Sequence, residues 1–223
     1  MRCGCGTPTL SICCEMRRLS PLDAALAESA MMSASMPSPI GHTLAGLAVG
    51  WLSEPSPPAT GSRLRDSLTP LVLWCALVAA IPDADLLIPH FHRTATHSVT
   101  ATVLLLIMVV AVTGKVTRHP AWTLALTLGA AHGTHLLLDW LGTDRFPPPG
   151  LQMLWPFSPH FFYSGADLFP PVERRLWLPE ALSVNAYAAA WELLIMGPIA
   201  LVAWSRRRRG ASAKPAKAKG QSR

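Results

Sequence analysis

Between two apolar runs lies a stretch, residues 82–98, that reads PDADLLIPHFHRTATHS. It sets Asp83, Asp85, His92, Arg93 and His97 directly against segments whose composition belongs in a low-dielectric interior. Carboxylates and imidazoles are costly to desolvate, so a chain that keeps them at such a boundary must pair them with each other or with an ion. Clustered Asp and His offer the oxygen and nitrogen donors that a hard or borderline divalent metal takes. Any fold open to this chain has to bring these groups together.

The rest of the chain narrows the kind of fold. Half of the 223 residues are hydrophobic and 14% are charged. Mean hydropathy is +0.31, which suits several membrane spans better than a water-soluble domain. Five apolar segments, residues 40–52, 68–81, 98–114, 121–141 and 187–204, are expected to be helices. The third holds the cleanest run, VTATVLLLIMVVAVTG. The expected fold is all-α: a polytopic membrane helical bundle of about four to five transmembrane helices. The first two segments are short for spans, which need about 20 residues, and a soluble helical core is the competing account of them. Gly46 with Gly50, and Gly129 with Gly133, are spaced to let a neighbouring backbone approach closely. Residues 142–181, rich in proline and aromatics and including LWPFSPHFFYSG, are too many for a passive loop. They are expected to cover the site or to lie at the membrane interface.

The ends read differently from the body. In residues 1–35, Glu15, Arg17, Arg18, Asp23 and Glu28 interrupt any apolar core of a signal peptide. That stretch is read as a disordered or non-native leader, with Met36 as a natural start. Residues 36–205 form the membrane-embedded domain and residues 206–223 a basic cytoplasmic tail. The five cysteines, Cys3, Cys5, Cys13, Cys14 and Cys75, lack the paired CxxC spacing of a zinc site. Net charge is +6, but a basic run after an apolar helix reads as a topology anchor, and no nucleic-acid partner is expected. The sequence carries no signal for an oligomeric state.

With the segments taken as alternating spans, His42, Asp83, Asp85, His92, His97, His135 and Asp139 fall on one side. Arg63/Arg65, Lys115/Arg118 and Arg206–Arg209 fall on the other, which the positive-inside rule makes cytoplasmic. The polar cluster then faces the periplasm or exterior. His132, His135 and Asp139 are spaced by three and four, so they share one helical face. Plainer roles exist for several of these residues: His42 as an interfacial histidine, Asp83 and Asp85 as caps, His132 as a packing residue. The HxxxD pair has no comfortable plain role, because an unpaired acid inside an apolar helix is expensive. Glu192, in the fifth segment, is open to three accounts: a packing acid, an acid supporting the site, or a protonated acid.

PIGHTLAG, PDAD, HRTATHS and HGTHLLLDW, in that order, resemble the YdjM-like family of bacterial inner-membrane proteins, described as membrane-bound metal-dependent hydrolases. The resemblance covers roughly residues 36–205. The succession His, Asp, His, HxxxD is similar, more distantly, to the ligand order of zinc-dependent phospholipase C. That resemblance implies His42, Asp83, His97, His135 and Asp139 as ligands, although no later HxxxE follows. The full candidate metal set is His42, Asp83, His92, His97, His132, His135 and Asp139, with zinc the first choice of divalent metal and manganese the second. Asp85 is the candidate general base or orienting residue. Arg93 is a candidate for holding an anionic substrate group, with a headgroup-level anchor as its plainer role. The expected function is a membrane-bound metal-dependent hydrolase acting on an ester or phosphoester at the outer face of the inner membrane. Its partners are the lipid bilayer and a membrane-associated or lipid-like phosphoester. The alternative is a metal- or ion-coupled transporter, or a scaffold with a structural metal; a transporter would place its polar groups near the bilayer midplane.

Overall fold

The computed structural model describes residues 37–54, 66–87, 92–114, 121–144 and 147–212. The leader, Cys3, Cys5, Cys13 and Cys14, Arg63 and Arg65, Lys115, Arg118 and His119, and the end of the tail from residue 213 lie outside the described residues. Among the described residues the architecture is helical, with two isolated β-bridges in place of strands. The elements are α1 (Pro39–Ser53), α2 (Pro70–Ala80), a 3-10 helix (Ile81–Leu87), α3 (Val99–Thr113), α4 (Ala121–Leu141) and α5 (Ala181–Ser212). Three helices begin on the same local signal, a Ser or Thr whose hydroxyl accepts an early amide N–H: Ser38 for α1, Thr69 for α2 and Ser98 for α3. Pro39 and Pro70 follow two of these caps, where the missing N–H costs nothing.

α1 packs against α2, α4 and α5, and α4 packs in turn against α2 and α3. One apolar core joins Cys75, Val78, Val109, Ala125, Leu128 and Ala131; a second joins Ala45, Leu138, Phe169 and Met196. The outside is as apolar as the inside. On α3 only Val109 is buried, while Val103, Leu104, Ile107, Met108, Val110 and Val112 are exposed. An exterior of that kind suits lipid, which accepts apolar side chains once the backbone is satisfied within a helix. By length and composition, one described helix, Ala181–Arg209, is apolar enough to cross a membrane; Val99–Thr113 is apolar but shorter. The 15 residues of α1 rise only about 22 Å, against a hydrocarbon thickness of about 30 Å.

The first glycine pair does what its spacing predicts. A Cβ on Gly46 would stand 2.4 Å from the Cys75 carbonyl oxygen, and one on Gly50 would stand 2.8 Å from the Val72 Cα. α1 therefore rests backbone to backbone on α2. The second pair departs from expectation. Gly129 meets the Leu106 side chain and Gly133 meets nothing within 4 Å, so neither sets α4 against a neighbouring backbone.

α1 and α5 run parallel and are fastened at both ends. At one end the Glu192 carboxylate, fully buried on α5, accepts from the Ser38 N–H, the Ser38 hydroxyl and the Gly41 N–H at 2.8 Å. These are donors that the first turn of a helix leaves open. At the other end Arg207 donates to the Ser67 carbonyl and pairs with Glu54 at 3.0 Å. Trp51 and Trp204 also donate to Ser67 there.

Two outcomes follow for thermal unfolding in detergent. Gly46→Val is expected to lose about 1–3 kcal/mol because α1 can no longer close on α2, while Gly133→Ala holds or gains stability; equal effects would deny the close approach. Glu192→Ala leaves buried N–H groups of α1 unsatisfied and is expected to cost about 1–3 kcal/mol, only partly recovered by Glu192→Gln, whose amide sets one donating NH2 where a second oxygen accepts.

Candidate metal centre

Four elements send side chains to one point. His42 comes from the first turn of α1, Asp83 from the 3-10 helix, His97 from the turn before α3, and His135 with Asp139 from the last turns of α4. The 3-10 helix exists because Pro82 ends the α2 hydrogen-bond pattern, and its tighter winding carries Asp83 toward α4. The HxxxD spacing of α4 places the His135 and Asp139 side chains together, 3.0 Å apart.

The distances are those of a coordination sphere. Asp139 lies 3.2 Å from His42 Nε2, 3.4 Å from His97 Nε2 and 3.0 Å from His135 Nε2. Asp83 lies 3.8, 3.5 and 3.8 Å from the same three nitrogens. Donors held 2.0–2.1 Å from a tetrahedral ion sit about 3.3 Å from one another. Nε2 of all three histidines and both Asp139 oxygens are buried without a hydrogen-bond partner. Five converging donor atoms without hydrogen bonds fit a divalent ion. Among the described residues, the sets that could hold one are His42, Asp83, His135 and Asp139, and Asp83, His92 and His97. Of the five central side chains only Asp83 has any exposure, at 11%, so the approach from outside runs past it.

The surrounding groups set ring orientation. His135 Nδ1 donates to the Ala79 carbonyl at 2.8 Å, which leaves Nε2 as the lone-pair nitrogen. Asp85 sits 3.1 Å from His97 Nδ1 and 2.7 Å from His92 Nδ1, and it also accepts from the Thr96 hydroxyl. Asp85 thus stands behind the histidines, in the position of an orienting carboxylate. Arg174 donates to His92 Nε2 at 2.8 Å. A guanidinium can only donate, so His92 must carry its proton on Nδ1, with both ring nitrogens engaged. His132 is held by the Thr102 hydroxyl at 2.8 Å and the Thr96 carbonyl at 3.2 Å and belongs to neither donor set. Its role is to tie α4 to α3. Arg93 is turned away into a buried ion pair with Asp144, whose carboxylate also accepts from the Gly150 N–H.

That pair anchors the long connection. Gln152 N–H donates to the Arg93 carbonyl at 3.0 Å and Val99 N–H to the Met153 carbonyl at 2.9 Å. Gly150, at φ +102°, lets the chain turn against the Phe162 carbonyl, where a Cβ would stand at 2.2 Å. Asp144 and residues 150–153 therefore lie against the loop that carries His92 and His97. Arg174, Asp144 and Thr96 were not among the sequence candidates. Asp144 directly follows the fourth segment, and Arg174 stands in a proline-rich stretch where a charge was the only signal.

Residues 36–210 match the family model described as YdjM inner membrane protein. The chain belongs to this family. No curated protein and no solved structure matches it, so the likeness to phospholipase C remains one of ligand order.

In this YdjM-family chain the charges outside the α-helices are set by neighbours. Burial alone would raise the Asp85 carboxyl, but hydrogen bonds from His92 and His97 hold it well below the usual carboxylate range. Burial, helped by Arg174, keeps His92 low and neutral. Burial would also lower His97, yet Asp83 and Asp85 outweigh it and raise the imidazole to about 9. A histidine with a raised pKa holds its proton through neutral pH, and metal must displace that proton. Apparent metal affinity is therefore expected to climb with pH and level off near about 9, with proton release on binding at pH 7 seen by calorimetry in buffers of different ionisation enthalpy. Binding with no proton release would contradict this arrangement.

Proposed function

We propose that the chain is a polytopic membrane protein whose outer-face metal centre hydrolyses an ester or phosphoester. The observation that carries this reading is the set of five buried, converging donor atoms with one exposed edge at Asp83. A closed structural site would have no such edge. His42, Asp83, His97, His135 and Asp139 would hold the ion, and zinc suits their nitrogen and oxygen donors best. A divalent ion in such a site supplies Lewis acidity and makes water a nucleophile at neutral pH. Asp85 fixes the His97 ring, and buried packing around α4 keeps bulk water from the other faces of the cluster.

Several features support the multi-span topology. The cluster lies at the starts of α1 and α3 and the ends of α2 and α4, as alternating spans require. Trp51, Trp204 and Arg207 gather at the far end of α1 and α5. A tryptophan and arginine belt beside the basic tail suits the cytoplasmic interface. Transport is disfavoured by Glu192, the acid within α5, because its carboxylate is spent on capping α1.

The deciding measurement is elemental analysis of the detergent-purified full chain beside His135→Ala and Asp139→Ala. Stoichiometric zinc or manganese is expected in the wild type, falling at least tenfold in both variants, with hydrolysis of chromogenic esters or phosphoesters lost alongside. A well-folded wild type that takes up no metal after reconstitution would end the hydrolase reading.

A further inference from the structure

Among the described residues three arginines stand at the site end of the molecule, and two of them are matched by acids. Arg93 is paired with Asp144, and Arg175 with Glu173 at 3.2 Å. Arg174 is in no ion pair among the described residues. Its one hydrogen bond among the described residues goes to His92, which is neutral, and its Nε is buried without a partner. The half-buried guanidinium sits against His92, whose ring lies with Asp83 and His97 in the second of the two donor sets. A guanidinium kept partly out of water without a carboxylate is expensive, and its planar fork matches an oxyanion.

We propose that Arg174 and the metal centre together form a subsite for the phosphate group of the substrate, with Arg174 holding a non-bridging oxygen beside the ion. This rests on the hydrolase reading and narrows it. A carboxylic ester presents a neutral carbonyl and develops negative charge only in its tetrahedral intermediate, so it gives an arginine nothing to bind before the reaction. A phosphoester carries charge on the reacting group itself, where a guanidinium and a metal can share it. Leu176 and Trp177, two and three residues further on, are 75% and 79% exposed. They put an apolar lip beside the subsite, which suits a phosphoester that carries an apolar chain.

The test uses full-length protein in detergent loaded with cobalt, whose visible spectrum reports the coordination sphere. Inorganic phosphate, a water-soluble phosphoester and a phosphate-headed lipid in mixed micelles are titrated separately. Each is expected to shift the spectrum in the wild type. Arg174→Ala should weaken phosphate at least tenfold with unchanged cobalt content and helical circular dichroism. Arg174→Lys should recover part of the loss, and added guanidinium should rescue the alanine variant. Tighter binding of the lipid, lost in Leu176→Ser/Trp177→Ser, would assign the phosphate to an amphiphile; equal binding of all three would assign it to a soluble ester. Phosphate that binds Arg174→Ala as well as wild type overturns the role of Arg174. A cobalt-loaded wild type that ignores all three ligands overturns the phosphate subsite and leaves the metal centre standing, whereas failure to load cobalt removes the hydrolase reading beneath it.

Discussion

The constraint on which everything else depends is the desolvation of Asp139. Its carboxylate is buried near the end of a largely apolar helix, where an ionised group without compensation is strongly unfavourable. Three imidazole nitrogens converge on it within 3.0–3.4 Å without hydrogen-bonding it, and a divalent ion held among them would provide the compensation. They come from α1, the turn before α3, and α4 itself, so meeting the need of one acid pins three parts of the chain to one another. A cluster so constructed cannot be loosened at one residue without exposing the others to the same cost.

The helices are arranged to deliver those partners. α1 must bring His42 to α4, and it is located by its N-terminal turn, which the Glu192 carboxylate grips from α5. The same helix is set against α2 by Gly46 and Gly50, and α2 in turn ends where Pro82 starts the 3-10 helix that presents Asp83. The long connection completes the arrangement from outside. Asp144 holds Arg93, and the backbone of residues 150–153 pairs with the loop before α3. That loop carries His97, so the orientation of a central histidine depends on a segment with almost no regular secondary structure.

Much of this could be read along the chain. The four segment boundaries near the site were legible because the apolar runs begin and end there, with Pro82 and Gly142 interrupting two of them. His135 and Asp139 were legible because a spacing of four fixes their direction on a helix. His132 shares that face by spacing, yet it turns to Thr102 and Thr96, because the side-chain angle and not the register chooses its partner. His92 and Arg93 sit in an irregular loop, where neighbours in sequence point in opposite directions: one backs onto Asp85, the other reaches Asp144. Arg174 was not legible at all, since its meaning lies in a contact across 82 positions of chain.

The sequence by itself determined the helical class, the apolar character and the residue types gathered at the candidate metal centre. Those properties follow from composition and from periodicities of three and four, which act locally. Only the tertiary structure decided which histidines converge, which carboxylate supports them and which arginine is left unpaired. Those outcomes depend on where distant segments meet, and burial makes each meeting an all-or-none balance between desolvation and pairing.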